Sequence, residues 1–145
     1  LAIEKEVFNL EALRLQLIKH EGIRLFPYRC PSGKLTIGVG RNLQGKGITR
    51  GEALYLLNND ISECISDCER LFPNFHTLSG PRKRVLIDMR FNLGPKRFRK
   101  FESFIDAVNR RDFKSAKMEM IGSNWYGQVG ERSKTLVKMF SDGES

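Results

Sequence analysis

The sequence predicts an α+β fold, mainly α, with a small β-hairpin lobe and a helical lobe joined by a long helix. Three observations carry this expectation. Phe26 to Gly40, FPYRCPSGKLTIGVG, sets β-forming residues on either side of a Pro-Ser-Gly turn. From Ala53 to Cys68 apolar residues recur at helical spacing without a break. Beyond Ser79 the apolar clusters again follow helical faces, as in Phe101, Phe104, Ile105 and Val108.

In order along the chain, Asn9 can cap a first helix bearing Leu10, Leu13, Leu17 and Ile18, and Gly22 provides its stop. Phe26-Pro27-Tyr28-Arg29 and Leu35-Thr36-Ile37-Gly38-Val39-Gly40 read as two short antiparallel strands around Pro31-Ser32-Gly33, with a third around Gly47-Ile48. Thr49-Arg50-Gly51-Glu52 has the T-x-x-E form of a capping box. It opens a run ending near Pro73, roughly 22 residues or about 33 Å of helix. Ser79 or a neighbour can cap a helix bearing Val85, Leu86, Met89 and Phe91 that stops at Gly94. Asp112 can cap the segment with Phe113, Ala116 and Met120, and a last helix holds Leu136, Val137 and Phe140. The expected organisation is a single domain over residues 1–145. Its lobes span about 10–50 and about 73–145, with the linking helix at about 50–72.

Composition narrows the function classes. The 145 residues are 40% hydrophobic and carry a net charge of +8. Such an excess favours polyanionic partners: nucleic acid, anionic lipid, or a bacterial wall with its carboxylates and phosphates. No apolar run approaches the roughly 20 residues that span a bilayer. Glu4, Lys5 and Glu6 interrupt the place where a secretory signal needs an apolar core, so none is expected. Leu1 in place of Met suggests a processed chain or a piece of a longer one.

Three cysteines, Cys30, Cys64 and Cys68, argue by their odd number against a disulfide framework and fit synthesis in a reducing compartment. Cys64 and Cys68 are read as small buried apolar residues on one helix face. His20 and His76 are the only histidines, which leaves no credible zinc site, and no metal or organic cofactor is expected.

The chemistry concentrates in EGIRLFPYRCPSGKLTIGVG, Glu21 to Gly40, where Glu21, Cys30 and Thr36 are separated by eight and five residues. Acid-assisted bond cleavage needs a proton donor for the departing atom and a group that manages the nucleophile. Glu21 is the candidate acid, and Leu25, Phe26 and Leu35 could give it a partly apolar surround. Taken alone, a glutamate before glycine at a helix end is more often a solvated carboxylate. Cys30 keeps three roles open: thiolate nucleophile, water-orienting base, or packing residue. Arg29 and Lys34, close in sequence, would favour the thiolate. Thr36 alone would be ordinary strand filler.

Further blocks accompany this stretch: Gly47-Ile-Thr-Arg-Gly-Glu-Ala53 with Leu56-Leu57-Asn58-Asn59-Asp60, then Phe91-Asn92-Leu93-Gly94, then Trp125-Tyr126-Gly127-Gln128 with Arg132. Together, in this order over roughly Leu10 to Phe140, they resemble the phage-type lysozymes, peptidoglycan muramidases that bacteriophages use as endolysins. The resemblance implies the lysozyme-like fold and hydrolysis of the β-1,4 bond between N-acetylmuramic acid and N-acetylglucosamine. By motif match Glu21 is the acid, Cys30 stands where most of the family has Asp and a minority Cys, and Thr36 holds the water or intermediate. Phe91 and Asn92 would line the saccharide groove, and Arg132 would face Glu21 and steady it. For Arg132 the plain alternative is a surface charge, for Trp125 core packing, and for Asn92 a helix cap. Arg41 replaces the usual His after the Gly-x-Gly element and is expected to pair with Asp60.

The implied partner is bacterial peptidoglycan, met by a monomer with no nucleic-acid partner and no stable membrane insertion. Synthesis in a bacterial host's cytoplasm and action in the periplasm or on the wall would follow. Three alternatives remain: a lytic transglycosylase using Glu21 alone, an inactive wall-binding relative, and a nucleic-acid-binding module resting on the cations between Arg82 and Lys100.

Overall fold

Local capping chemistry starts and stops most of the helices. The computed structural model describes residues 8–143; the signal-segment reading rests largely on residues 1–7, which lie outside that range. Helix α1, Leu10–Glu21, begins where the Asn9 side chain accepts the Ala12 N–H at 3.0 Å. It ends where the Gly22 N–H closes onto the Ile18 carbonyl at 2.7 Å, leaving Glu21 as its last residue.

Three antiparallel strands follow in the order β1 (Arg24–Arg29), β2 (Leu35–Gly38), β3 (Arg41–Asn42). Register pairs Tyr28 with Thr36 and Thr36 with Asn42, which places Thr36 at the centre of the sheet. Pro27 is tolerated because β1 is an edge strand whose register slips between Arg24 and Tyr28. The third strand is thus Arg41–Asn42, not the expected Gly47–Ile48. The Asn42 side chain accepts the Gly45 N–H at 2.9 Å and turns the chain into a short helix, α2 (Leu43–Lys46). Gly47 ends that helix and so cannot continue a strand.

The predicted capping box closes in both directions: the Thr49 hydroxyl accepts the Glu52 N–H at 3.1 Å, and the Glu52 carboxylate accepts the Thr49 N–H at 2.8 Å. It opens α3, Arg50–Leu71, the 22-residue helix the spacing predicts. The chain divides into two compact units, Leu1–Ala53 and Leu54–Ser145, and the division falls within α3.

The second unit holds the apolar core. A 3₁₀ turn, Phe75–Thr77, precedes α4 (Gly80–Leu93), which is capped by Ser79. Then come α5 (Pro95–Arg99), α6 (Glu102–Asn109), α7 (Phe113–Ile121), α8 (Asn124–Val129) and α9 (Glu131–Asp142). Val85, Leu86 and Met89 of α4 are fully buried with Phe98, Phe104, Met120 and Phe140. The predicted face of α6 delivers Phe104 and Val108 to this core, and Asp112 caps α7 through the Ser115 N–H at 3.0 Å. The basic run Arg82–Lys100 is two helices, because Gly94, at φ +82°, breaks the first and Pro95 starts the next. The short helices α5 and α8 have too few turns to show a periodic face in sequence.

Cys64 and Cys68 are buried as expected, and all three cysteines are free. Burial pushes the Cys68 thiol up to about 12. Beside them Arg90 donates to Asp67 at 2.6 Å and to the Cys64 sulfur at 3.6 Å, a nearly enclosed ion pair. Among the described residues no helix is long and apolar enough to cross a membrane.

Candidate active site

In the first unit the end of α1 meets the end of the hairpin. The Glu21 carboxylate lies against Gly40: a Cβ on that glycine would stand 2.6 Å from Oε2 and 3.0 Å from Cδ. Gly40 also has φ +64°, a conformation glycine adopts without strain. Leu25 and Phe26 do not supply the apolar surround expected for Glu21, because their side chains are 79% and 81% exposed. Both belong to the edge strand β1.

Cys30 and Thr36 come together through one carbonyl. Lys34 C=O accepts the Cys30 N–H at 3.0 Å and the Thr36 hydroxyl at 2.8 Å, while Gly33 N–H closes the turn onto Cys30 C=O at 2.7 Å. The Cys30 sulfur lies 3.1 Å from the Ser32 hydroxyl. That hydrogen bond, then one from the Lys34 backbone, lowers the thiol from 9.0 to about 7, with a smaller contribution from the Thr36 hydroxyl. The cause differs from expectation: hydrogen bonds within the turn lower the thiol, while Arg29 donates to Gly33 C=O and the Gln44 side chain, each at 3.2 Å. Thr36 is buried at 3% exposure, so its hydroxyl can reach only a few partners. Its single proton goes either to Lys34 C=O or to the thiolate, and its lone pairs can accept from a water.

Arg41 has a different partner from the expected Asp60. It grips Glu52 with both terminal nitrogens, at 2.8 and 2.6 Å, and donates to Gly47 C=O at 3.1 Å. The capping box explains this choice, since it already points the Glu52 carboxylate back over the Gly47 turn. Arg41, then the Thr49 backbone, hold the Glu52 carboxyl down at about 2.

In the second unit Phe91 and Arg132 share a groove of about 380 Å³ with Leu57, Ile61, Arg84, Ile87 and Asp88. Phe91 is 44% exposed there. Arg132 gives its guanidinium to Asp88, Nε at 2.9 Å and Nη2 at 2.6 Å. Asn92 takes another direction: its side-chain oxygen accepts the Trp125 indole N–H at 3.1 Å. Trp125 is a core residue, 2% exposed and edge-on to Phe101. No group of His, Cys, Asp and Glu able to hold a metal occurs among the described residues.

Sequence reasoning missed Ser32, Glu52 and Asp88, each a partner of a residue it had selected. Only Glu52 left a signal, because the capping box fixes where its carboxylate points. A helix-end carboxylate packed on a hairpin glycine, a thiol in the turn of the same hairpin, and a mainly helical fold with one small sheet are together lysozyme-like. The sequence profile of the phage lysozyme family matches residues 18–139. The chain belongs to that family and is a glycoside hydrolase of the lysozyme class, which degrades peptidoglycan. Among curated relatives, a protein named probable T4-type lysozyme 2 from Dictyostelium discoideum is 24% identical over 92% of this chain and 96% of its own length. The SAR-endolysin of Escherichia phage Mu is 28% identical over 88% of this chain and 73% of its own length.

Proposed function

We propose that the chain is an endolysin-type muramidase that hydrolyses the β-1,4 bond between N-acetylmuramic acid and N-acetylglucosamine, with Glu21 as general acid. It acts as a monomeric single domain, made in a bacterial host's cytoplasm and working in the periplasm or on the wall. The carboxylic acid of Glu21, backed by Gly40, protonates the leaving O4 as the bond to the muramic C1 breaks, and becomes a carboxylate. Cys30 serves the nucleophile side as its thiolate. It either bonds C1, to be displaced later by water with retention, or takes a proton from the water that bonds C1, with inversion. Thr36 steadies that water or the intermediate. Phe91 and Asn92 serve saccharide binding, and Arg132, braced by Asp88, supports the site.

One observation carries this reading: the hairpin turn sets the Cys30 sulfur 3.1 Å from the Ser32 hydroxyl and joins Cys30 and Thr36 through the Lys34 carbonyl, an arrangement that lowers the thiol. A packing cysteine has no need of that. Mass analysis of products from purified peptidoglycan tests the proposal. Fragments that have gained one water, with a free reducing muramic end, support it. Fragments one water lighter mean transglycosylation by Glu21 alone, and undegraded peptidoglycan from several sources refutes a muramidase. Trapping a sugar–cysteine adduct separates retention from inversion.

A further inference from the structure

The cations around α5 lie in a densely basic stretch of the chain, Arg82 to Lys100. Lys96, Arg97, Arg99 and Lys100 are all exposed, and no acidic residue lies between Asp88 and Glu102. Lys96, Arg99 and Lys100 have no ion-pair partner among the described residues, and Arg97 bonds only the neutral Gln128 amide, at 3.2 Å. Elsewhere Arg14, Arg110, Lys134 and Lys138 each have an acidic neighbour on their own helix. The segment is also firmly mounted. Phe98, between the cations, is fully buried with its ring 6.2 Å from that of Phe72. Four unneutralised charges equal half of the chain's +8 excess.

We propose that Lys96, Arg97, Arg99 and Lys100 form a surface that holds the enzyme on its insoluble substrate by contact with the peptide carboxylates of peptidoglycan. The inference rests on the muramidase reading, which supplies a polyanion of repeating carboxylates. Two other polyanions fit the segment less well. Single-stranded nucleic acid needs exposed aromatic rings for its bases, and here Phe98 points into the core. A lipid surface needs an apolar helix face turned outward, and this five-residue helix turns its apolar residue inward. Rigid mounting keeps the ordering cost of such contacts low, and their long range raises residence on a charged polymer.

The test uses a K96E/R99E/K100E variant, with Arg97 and its bond to Gln128 left in place, and a K96Q/R99Q/K100Q variant as the milder change. Binding to purified sacculi is measured by sedimentation at low and high salt, and hydrolysis is followed on sacculi and on a soluble muramyl oligosaccharide. The expected result is roughly a tenfold or greater loss of sacculus binding at low salt, a smaller loss for the neutral variant, and an unchanged rate on the soluble substrate. Sacculi whose carboxylates have been amidated should bind wild type as weakly as native sacculi bind the charge-reversed variant. The proposal is overturned if amidation has no effect, if only walls carrying phosphate polymers discriminate, or if the soluble substrate is cleaved equally slowly. If wild type cleaves neither substrate, the muramidase reading fails, while the binding comparison still judges the surface.

Discussion

The carboxylate of Glu21 and the backbone of Gly40 are in contact: a Cβ on Gly40 would stand 2.6 Å from Glu21 Oε2. A residue at the end of α1 is therefore positioned by one at the end of the hairpin, 19 positions later in the chain. Gly38 offers an internal control, with φ +69° and nothing within 4 Å of its would-be Cβ. Gly38→Ala and Gly40→Ala carry similar backbone strain, on the order of 1–2 kcal/mol. Only Gly40→Ala also displaces the acid, so its kcat should fall about 10- to 100-fold beyond that of Gly38→Ala. Equal kcat values for the two variants, with similar melting temperatures, would remove Gly40 from the site.

The sequence made the helices legible wherever a cap bounded a long periodic face. Asn9, the Thr49–Glu52 box, Ser79 and Asp112 all cap where expected, because those rules are local. The third strand was misplaced because the Asn42 side chain diverts the backbone into a helical turn, and an Asn cap before the four residues Leu-Gln-Gly-Lys leaves little trace in hydropathy. Within the site, residue types were legible from spacing while their partners were not. Arg41 was expected to pair with Asp60 on the long helix. Its selection of Glu52 depends on where the capping box aims that carboxylate. The low thiol of Cys30 was anticipated from neighbouring charges and arises from hydrogen bonds of the turn, which only the folded backbone sets.

Cys30 should impart a titration to activity. Its thiolate increases as pH rises through about 7, so an activity that needs the anion has an acidic limb there. Ser32→Ala removes the main cause of the lowering and should move that limb upward towards 9.0, the ordinary thiol value. Cys30→Asp should move it down to about pH 4, the usual range of an aspartate. Rates of Cys30 alkylation by iodoacetamide, followed against pH, should move with the limb in the Ser32 variant. A pH profile identical in Ser32→Ala and wild type would separate Cys30 ionisation from catalysis.

Arg41 and Glu52 should give the first unit a pH-dependent tie. The Glu52 carboxyl titrates at about 2 when folded against 4.5 ordinarily, so the folded state binds fewer protons between those values. Its contribution to stability is therefore complete above about 4.5 and is lost as pH falls through about 2. The melting temperature of Glu52→Gln should lie below that of wild type at neutral pH, and the two should converge near pH 2. A double-mutant cycle with Arg41→Ala should show coupling at pH 7 and little at pH 2. A gap that stays constant across this range would mean that the capping role of Glu52, rather than its charge on Arg41, supplies the effect.

Asn92 connects a predicted saccharide residue to the core, because its oxygen accepts the indole N–H of Trp125, the chain's single tryptophan, at 3.1 Å. Asn92→Ala leaves that buried donor unpaired, at a cost of about 1–3 kcal/mol. Asn92→Asp keeps an acceptor in place and should retain most of the stability. Denaturant unfolding followed by tryptophan emission measures both variants, and the emission of folded Asn92→Ala should change while that of Asn92→Asp stays close to wild type. A saccharide role for Asn92 predicts in addition that KM rises in both variants, since Asp replaces the amide donor. Wild-type stability and emission in Asn92→Ala would show that Trp125 does not depend on this acceptor. In that event a KM effect would belong to direct contact between Asn92 and the sugar.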